Sequence, residues 1–432
     1  MTRCALGWFL ALLAVVSGNF GQREGIAEPL VDVQARVAPE RSGCVDLVQL
    51  EDGSFGCAPS FFVMGAQKAG TSHMAKVMLQ HPQIQGAGEK ETHFFSSEID
   101  VCGCVAGCPL LAEFAKLRSD AVWNQTYPSC VTSSRMPACR KTNQRPGYTS
   151  AGAKKYAEAV GYRTITPHMF EAKGLVNGEF DATYFHNPCV SATIDSHMPH
   201  AKFIVILRHP ITRALSRVRE QALFANTQWN RYNYGIDYFE GASSFDRYVE
   251  MQVGAVEKCM RWAGSNLRRK IACANGNTAF GWSLYDVFLE HMLETIAADR
   301  ILLVLNEHMR VADIEVAHQV EHHLGVDRFS WGLQEGQNST GLQTNAAGAY
   351  GQGVQEKAGA RKRKTCRERL AVAASMEVSG HGWNMLWQRL YAPMMLRLAA
   401  LLTKFPQLGL SPESATQAWD PKYPCSEGLS AT

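Results

Sequence analysis

The stretch Phe61-Phe62-Val63-Met64-Gly65-Ala66-Gln67-Lys68-Ala69-Gly70-Thr71-Ser72 decides how this chain folds. Residues 61–64 are a continuous apolar run ended by Gly65, the pattern of a short strand buried on both faces. Across residues 71–80, Met74, Val77 and Met78 recur at helical spacing, and Pro82 stops the helix. A strand therefore leads through a glycine-containing loop into a helix. Backbone N–H groups at a helix start are unpaired and the helix dipole favours negative charge there, so such a loop cradles phosphate. A nucleoside-triphosphate hydrolase loop reads G-x4-G-K-[ST], with lysine directly before the hydroxyl residue. Here Lys68 precedes Gly70 and Thr71 instead, which disfavours ATP or GTP hydrolysis.

Working outward, Phe203, Ile204, Val205, Ile206 and Leu207 form a second buried strand. Arg208-His209-Pro210 follows it, with Pro210 suited to the first turn of a helix. A third strand is predicted at residues 301–305, after a helix carrying Leu284, Val287, Phe288, His291 and Met292. Apolar strands alternating with helices imply an α/β, three-layer fold with a central parallel sheet flanked by helices, resembling phosphate-loop folds. Residues 383–405 predict a packed helix kinked at Pro393. The expected organisation is a leader at 1–18, a polar stem or linker at 19–58, one domain at 59–410 and a tail at 411–432. The domain carries a cysteine-bearing, poorly periodic insertion at about 96–172.

The chain has 432 residues, 46% hydrophobic and 9% aromatic, enough to bury a core and exclude disordered or collagen-like classes. Lys plus Arg exceed Asp plus Glu by only 43 to 40, so bulk charge points to neither nucleic acid nor a membrane surface. At the N-terminus, Arg3 precedes a short apolar run from Ala5 to Val16, with Ser17 and Gly18 after it. That pattern predicts a cleaved signal peptide, with an uncleaved signal anchor as the alternative; a span ordinarily needs about 18 apolar residues. Of 13 cysteines, Cys4 falls in the leader, leaving 12, as expected for disulfides in an oxidising lumen. Cys44 and Cys57 are one candidate pair, closing the stem. Cys102, Cys104 and Cys108 lack the paired spacing of a zinc knuckle. Asn124 and Asn338 open glycosylation sequons.

Lys68-Ala-Gly-Thr71-Ser72, His81-Pro82 and Lys90-Glu91-Thr-His93-Phe94-Phe95 together resemble the 5′-phosphosulfate loop and base motif of sulfotransferases that use 3′-phosphoadenylyl sulfate. The stretch from Lys202 through Arg208 and Arg213 to Ser216 is similar to their 3′-phosphate strand and helix. Carbohydrate sulfotransferases of the chondroitin 6-O type, such as N-acetylgalactosamine 4-sulfate 6-O-sulfotransferase, look most alike, with heparan sulfate sulfotransferases next. That likeness extends to the segment from Gly178 to Tyr184, to Leu284-Tyr285 and to Leu390-Tyr391-Ala-Pro393. It also implies a disulfide between Cys259 and Cys273.

The resemblance implies that Lys68 stabilises the bridging and 5′-phosphate oxygens and that Ala69, Gly70, Thr71 and Ser72 hold the 5′-phosphate. Arg208 and Ser216 take the 3′-phosphate, and Glu91 is the base that removes the hydroxyl proton. Glu89 is the fallback base; His93 orients or packs its neighbours, with a base role as its alternative. It further implies 3′-phosphoadenylyl sulfate as co-substrate, no metal, an acidic polysaccharide or glycosaminoglycan acceptor, no nucleic acid partner, and a Golgi or secretory location. The rival readings are a secreted glycan-binding protein that keeps the fold without turnover and, less favoured, a nucleotide kinase. Arg213, Arg217 and Arg219 are candidate acceptor-binding cations. The basic run from Arg361 to Arg369 reads as a solvated loop, a processing site or a polyanion clamp.

Overall fold

Strand β3 (Phe61–Gly65) forms the middle of a five-stranded sheet because every residue in it is buried and apolar or glycine. The computed structural model describes residues 47–49, 55–86, 91, 95, 174–188, 190–223, 245–331 and 380–419. All lie in the compact unit Pro39–Thr432. The leader, Cys44, the insertion at 96–172 with its cysteines and Asn124, Asn338, and the basic run at 361–369 lie outside the described residues.

The other strands are β4 (Ile84–Gly86), β5 (Val176–Phe180), β6 (Lys202–Leu207) and β7 (Ile301–Leu305). Their order is β4-β5-β3-β6-β7, and every pairing is parallel. This is the three-layer α/β architecture expected from the sequence. Strands β3, β6 and β7 stand where the apolar runs place them. Strands β4 and β5 carry no such run, since Asn177, Gly178 and Glu179 interrupt β5. Gly178 is required there because a Cβ would stand 2.2 Å from the Phe61 ring. A separate antiparallel pair, β1 (Leu47–Gln49) with β2 (Phe55–Cys57), occurs inside the segment read as a stem.

Helix α1 (Thr71–Met78) follows β3, α2 (Val190–His197) precedes β6, and α3 (Pro210–Leu223) follows it with proline in first place. Helices α4 (Phe245–Ala263) and α5 (Leu267–Asn275) are joined by the Cys259–Cys273 disulfide that the resemblance implies. Closing a loop of that length stabilises by about 3 kcal/mol. Helix α6 (Tyr285–Met292) leads to β7, then come α7 (Asn306–Val311) and α8 (Asp313–Leu324).

The predicted C-terminal helix is three pieces: α9 (Gly380–Leu386), a π-helical turn (Trp387–Tyr391) and α10 (Ala392–Lys404). Pro393 has no N–H to give to the carbonyl four residues back, and the wider turn sits where that bond would fall. The packed body also runs past residue 410, into the stretch read as a tail. Helix α11 (Pro412–Trp419) ends on the fully buried Trp419, whose Nε1 donates to Glu307 Oε2 at 3.1 Å. Among the described residues, no helix is long and apolar enough to cross a membrane.

Candidate active site

The chain leaves β3 toward β4 and β5 on one side, then crosses to β6 and β7 on the other. The loops after β3 and β6 therefore open at the carboxyl ends of neighbouring strands where the strand order reverses, the usual crevice for ligands in open parallel sheets. Gly65 starts the first loop at φ 136°, and a Cβ there would lie 2.7 Å from the Ala182 carbonyl oxygen. Gly70 ends it at φ 103°, where a Cβ would lie 2.5 Å from Asn306 Nδ2. That amide donates to the Ala69 carbonyl at 2.9 Å, tying the loop to the start of α7. No side chain caps α1, and while the His73 and Met74 N–H groups close onto the Gly70 carbonyl, those of Thr71 and Ser72 are left for an anion. Of the hydroxyl residues expected to bind phosphate, Thr71 is buried and Ser72 exposed.

Arg208 leaves the end of β6 and points back at the loop. Its NH1 donates to the Lys68 carbonyl at 3.0 Å, and its Nε donates to Thr212 Oγ1 at 3.1 Å. The Tyr285 hydroxyl donates to the Arg208 carbonyl at 2.8 Å. His209 is buried with its ring stacked near Trp387 and tilted over Trp383, and its N–H donates to Glu307 Oε1 at 3.0 Å. Burial, with the Arg208 charge adding to it, pushes the His209 imidazole down to about 4, so it is neutral near pH 7.

Arg213 overturns the expectation of an acceptor-binding cation, because it is completely buried. It donates to Ser283 Oγ at 2.5 Å, to the Ala279 carbonyl and, at 3.4 Å, to the Gln67 carbonyl. Burial lowers its pKa to about 10, which still leaves it charged at neutral pH. It braces the loop from beneath. Ser216 and Glu220 lie three and seven positions further along α3, so they share the helix face that meets the loop. Glu220 Oε1 accepts from Lys68 Nζ at 3.0 Å, and Oε2 accepts from Arg217 NH1 at 2.6 Å. Burial raises the Glu220 carboxyl, but the Lys68 and Arg217 charges and hydrogen bonds outweigh it and hold the group below its ordinary value.

Glu91 approaches from the other side of β3. Its N–H donates to the Phe180 carbonyl at 2.9 Å, at the end of β5. The Phe95 N–H donates to the Tyr184 hydroxyl at 3.2 Å, and that hydroxyl donates to Glu179 Oε1 at 2.7 Å. The segment from Gly178 to Tyr184 thus acts as a fastening for the strand-end residues 91 and 95. Lys68 has φ 69° and Glu91 φ 60°; among the described residues these are the two non-glycine residues with left-handed backbone. Such conformations cost about 1–3 kcal/mol each and concentrate at functional sites. Glu89, Lys90, His93 and Phe94 lie outside the described residues.

The sheet, the anion-binding loop at its reversal and the arginine facing that loop define a phosphate-loop-like α/β protein. Residues 59–263 match the model of the sulfotransferase family. The membrane-associated sulfotransferase kil1 of Dictyostelium discoideum is 22% identical over 212 residues, covering 49% of this chain and 31% of that protein. The chain thus aligns with about a third of that relative's length. The crystal structure of a sulfotransferase from Alicyclobacillus acidocaldarius is 17% identical with a TM-score of 0.43, over 80% of this chain and 96% of that one. The sulfotransferase domain from the curacin biosynthetic pathway is 12% identical with a TM-score of 0.30, over 63% of this chain and 76% of that one.

Sequence reasoning missed Asn306, Tyr285 and Glu220 as parts of this site. Tyr285 lay within a quoted likeness but carried no assigned role. Asn306 and Glu220 had no local signal, since an asparagine after a strand and a glutamate on a helix are common surface residues. Only Glu220's spacing from Arg213 and Ser216 along one helix face pointed toward the loop.

Proposed function

We propose that the chain transfers the sulfuryl group of 3′-phosphoadenylyl sulfate to a hydroxyl of a carbohydrate, of glycosaminoglycan-like type, in the secretory pathway. The observation that carries the reading is the convergence of Lys68, Glu91 and Arg208 on the ends of three adjacent strands around the loop at 65–72. The match of residues 59–263 to the sulfotransferase family model supports sulfuryl transfer as the reaction class. The Cys259–Cys273 bond supports both the chondroitin-type likeness that implied it and an oxidising compartment.

In this reading the N–H groups at the start of α1 and the Lys68 ammonium receive the 5′-phosphate oxygens. Arg208 offers its guanidinium fork to the 3′-phosphate, and Ser216 its hydroxyl. The sugar oxygen attacks sulfur in line while Glu91 accepts its proton. The new O–S bond forms as the bond from sulfur to the bridging oxygen breaks, and that electron pair stays on the 5′-phosphate of the departing adenosine 3′,5′-bisphosphate. Lys68 meets the charge that grows there. No metal takes part in these steps.

The test is transfer of labelled sulfate from the adenylyl donor to a panel of desulfated and partly sulfated polysaccharides, comparing the chain with its Glu91→Gln form. A base of this kind contributes about 100- to 10,000-fold. The expected result is a loss of turnover in that range with binding of adenosine 3′,5′-bisphosphate retained. Failure of both forms to bind that nucleotide would overturn the sulfotransferase reading in favour of the non-catalytic glycan-binding alternative, whereas binding without transfer would mean that the panel lacks the acceptor.

A further inference from the structure

Lys68 does not stand alone in the loop. Its ammonium lies 3.0 Å from a carboxylate contributed by α3, at a site where both side chains are only 28% exposed. The second oxygen of that carboxylate is held at 2.6 Å by Arg217, whose own side chain is 12% exposed and lies 5.8 Å over the Trp282 ring. Glu220 is therefore pinned from its own helix, and α3 is in turn fastened beneath the loop by Arg213 through the Gln67 carbonyl. Of these three charges, Arg217 and Glu220 both stand on α3, and Lys68 alone comes from the loop.

Resting on the donor reading above, we propose that Glu220 is a positioning residue that competes with the donor's anionic oxygens for the Lys68 ammonium. A phosphosulfate brought to this place needs the same ammonium that the carboxylate already holds. The ammonium must then exchange one anion for the other, while Arg217 keeps the released carboxylate charge-paired. Glu220 thus aims Lys68 toward the site, lowers donor affinity, and keeps a compensated carboxylate at the α3 side of the loop. Glu91 enters from the β5 side, so the two glutamates have separate tasks.

The experiment is a double-mutant cycle on the full chain: calorimetric binding of adenosine 3′,5′-bisphosphate to the unaltered protein, Glu220→Gln, Lys68→Ala and the double variant, with melting temperatures as the check on folding. Glu220→Gln is close to isosteric, and Glu220→Ala replaces it if the amide disturbs folding. Removing the competitor is expected to tighten nucleotide binding about three- to tenfold, the range of a partly exposed ion pair. In the Lys68→Ala background the same change is expected to alter affinity by less than about twofold, because the coupling runs through the ammonium. Unchanged or weaker binding by Glu220→Gln overturns the proposal. Equal tightening with and without Lys68 overturns it too, since that result marks simple repulsion. If the unaltered chain does not bind the nucleotide at all, the donor reading falls and this proposal with it; four similar, measurable affinities remove only the role of Glu220.

Discussion

The turn after β3 is shaped by its own backbone, with Gly65 and Gly70 in conformations open to glycine and Lys68 left-handed between them. The turn after β6 takes its shape from side chains that arrive from far along the chain. Tyr285 holds the Arg208 carbonyl, Glu307 holds the His209 N–H, and Trp383 and Trp387 flank the His209 ring. Two loops facing one crevice thus fail in different ways. The first is intolerant of an added Cβ or a lost ammonium, while the second is intolerant of anything that charges or unseats a buried ring.

The sharpest way to separate the two is Lys68→Ala. On the present reading it lowers sulfuryl transfer by about 10²–10³-fold, the loss for one transition-state donor, with little change in melting temperature. A large loss of stability instead would show that the first loop also leans on side-chain packing. The second loop is probed by acid. The folded His209 has a pKa of about 4 against 6.5 when unfolded, so the unfolded chain binds the proton first as pH falls. Its contribution is complete above about pH 6.5 and is lost progressively toward pH 4, amounting to about 3 kcal/mol. Denaturant unfolding across that window should show a pH slope that diminishes by about one proton in His209→Gln, and an unchanged slope would break the comparison.

Smaller effects sharpen it further. Gly70→Ala places a methyl against Asn306 at a left-handed φ, so a loss of about 1–2 kcal/mol in stability is expected, with weaker nucleotide binding measured alongside. Asn306→Ala removes one hydrogen bond from the Ala69 carbonyl and should weaken nucleotide binding by about fivefold, on the order of 1 kcal/mol. If Asn306→Ala proves more damaging than Gly70→Ala, the first loop depends on the distant chain as much as the second does.

Much of this site was legible where chemistry is local. The run 61–64, the glycines of the loop and the displaced lysine stand together in the chain, and β3, β6 and β7 appear at their apolar runs because strands buried on both faces need no alternation. Strand β5 was not legible, because Asn177 and Glu179 break its apolar pattern. Asn177 pairs with Ser60 on the neighbouring chain segment, and Glu179 with Tyr184. Arg213 misled for a related reason. An arginine in an amphipathic helix beside a phosphate motif reads as surface charge, whereas here three carbonyls and a serine hydroxyl satisfy it in the interior.

The sequence by itself determined the parallel α/β class and the loop at 65–72, and a resemblance singled out Lys68, Glu91, Arg208 and Ser216 as the residues for the proposed reaction. These depend on short-range patterning and on motif residues read directly. Only the tertiary structure decided that Arg213 lies beneath the loop, that Asn306 ties it to α7, that Trp419 closes against Glu307, and that Glu220 meets Lys68 from 152 positions further along the chain. Each is a polar group whose partner is set by the order of strands in the sheet. That order depends on which long-range pairings bury the most surface while leaving no polar group unsatisfied.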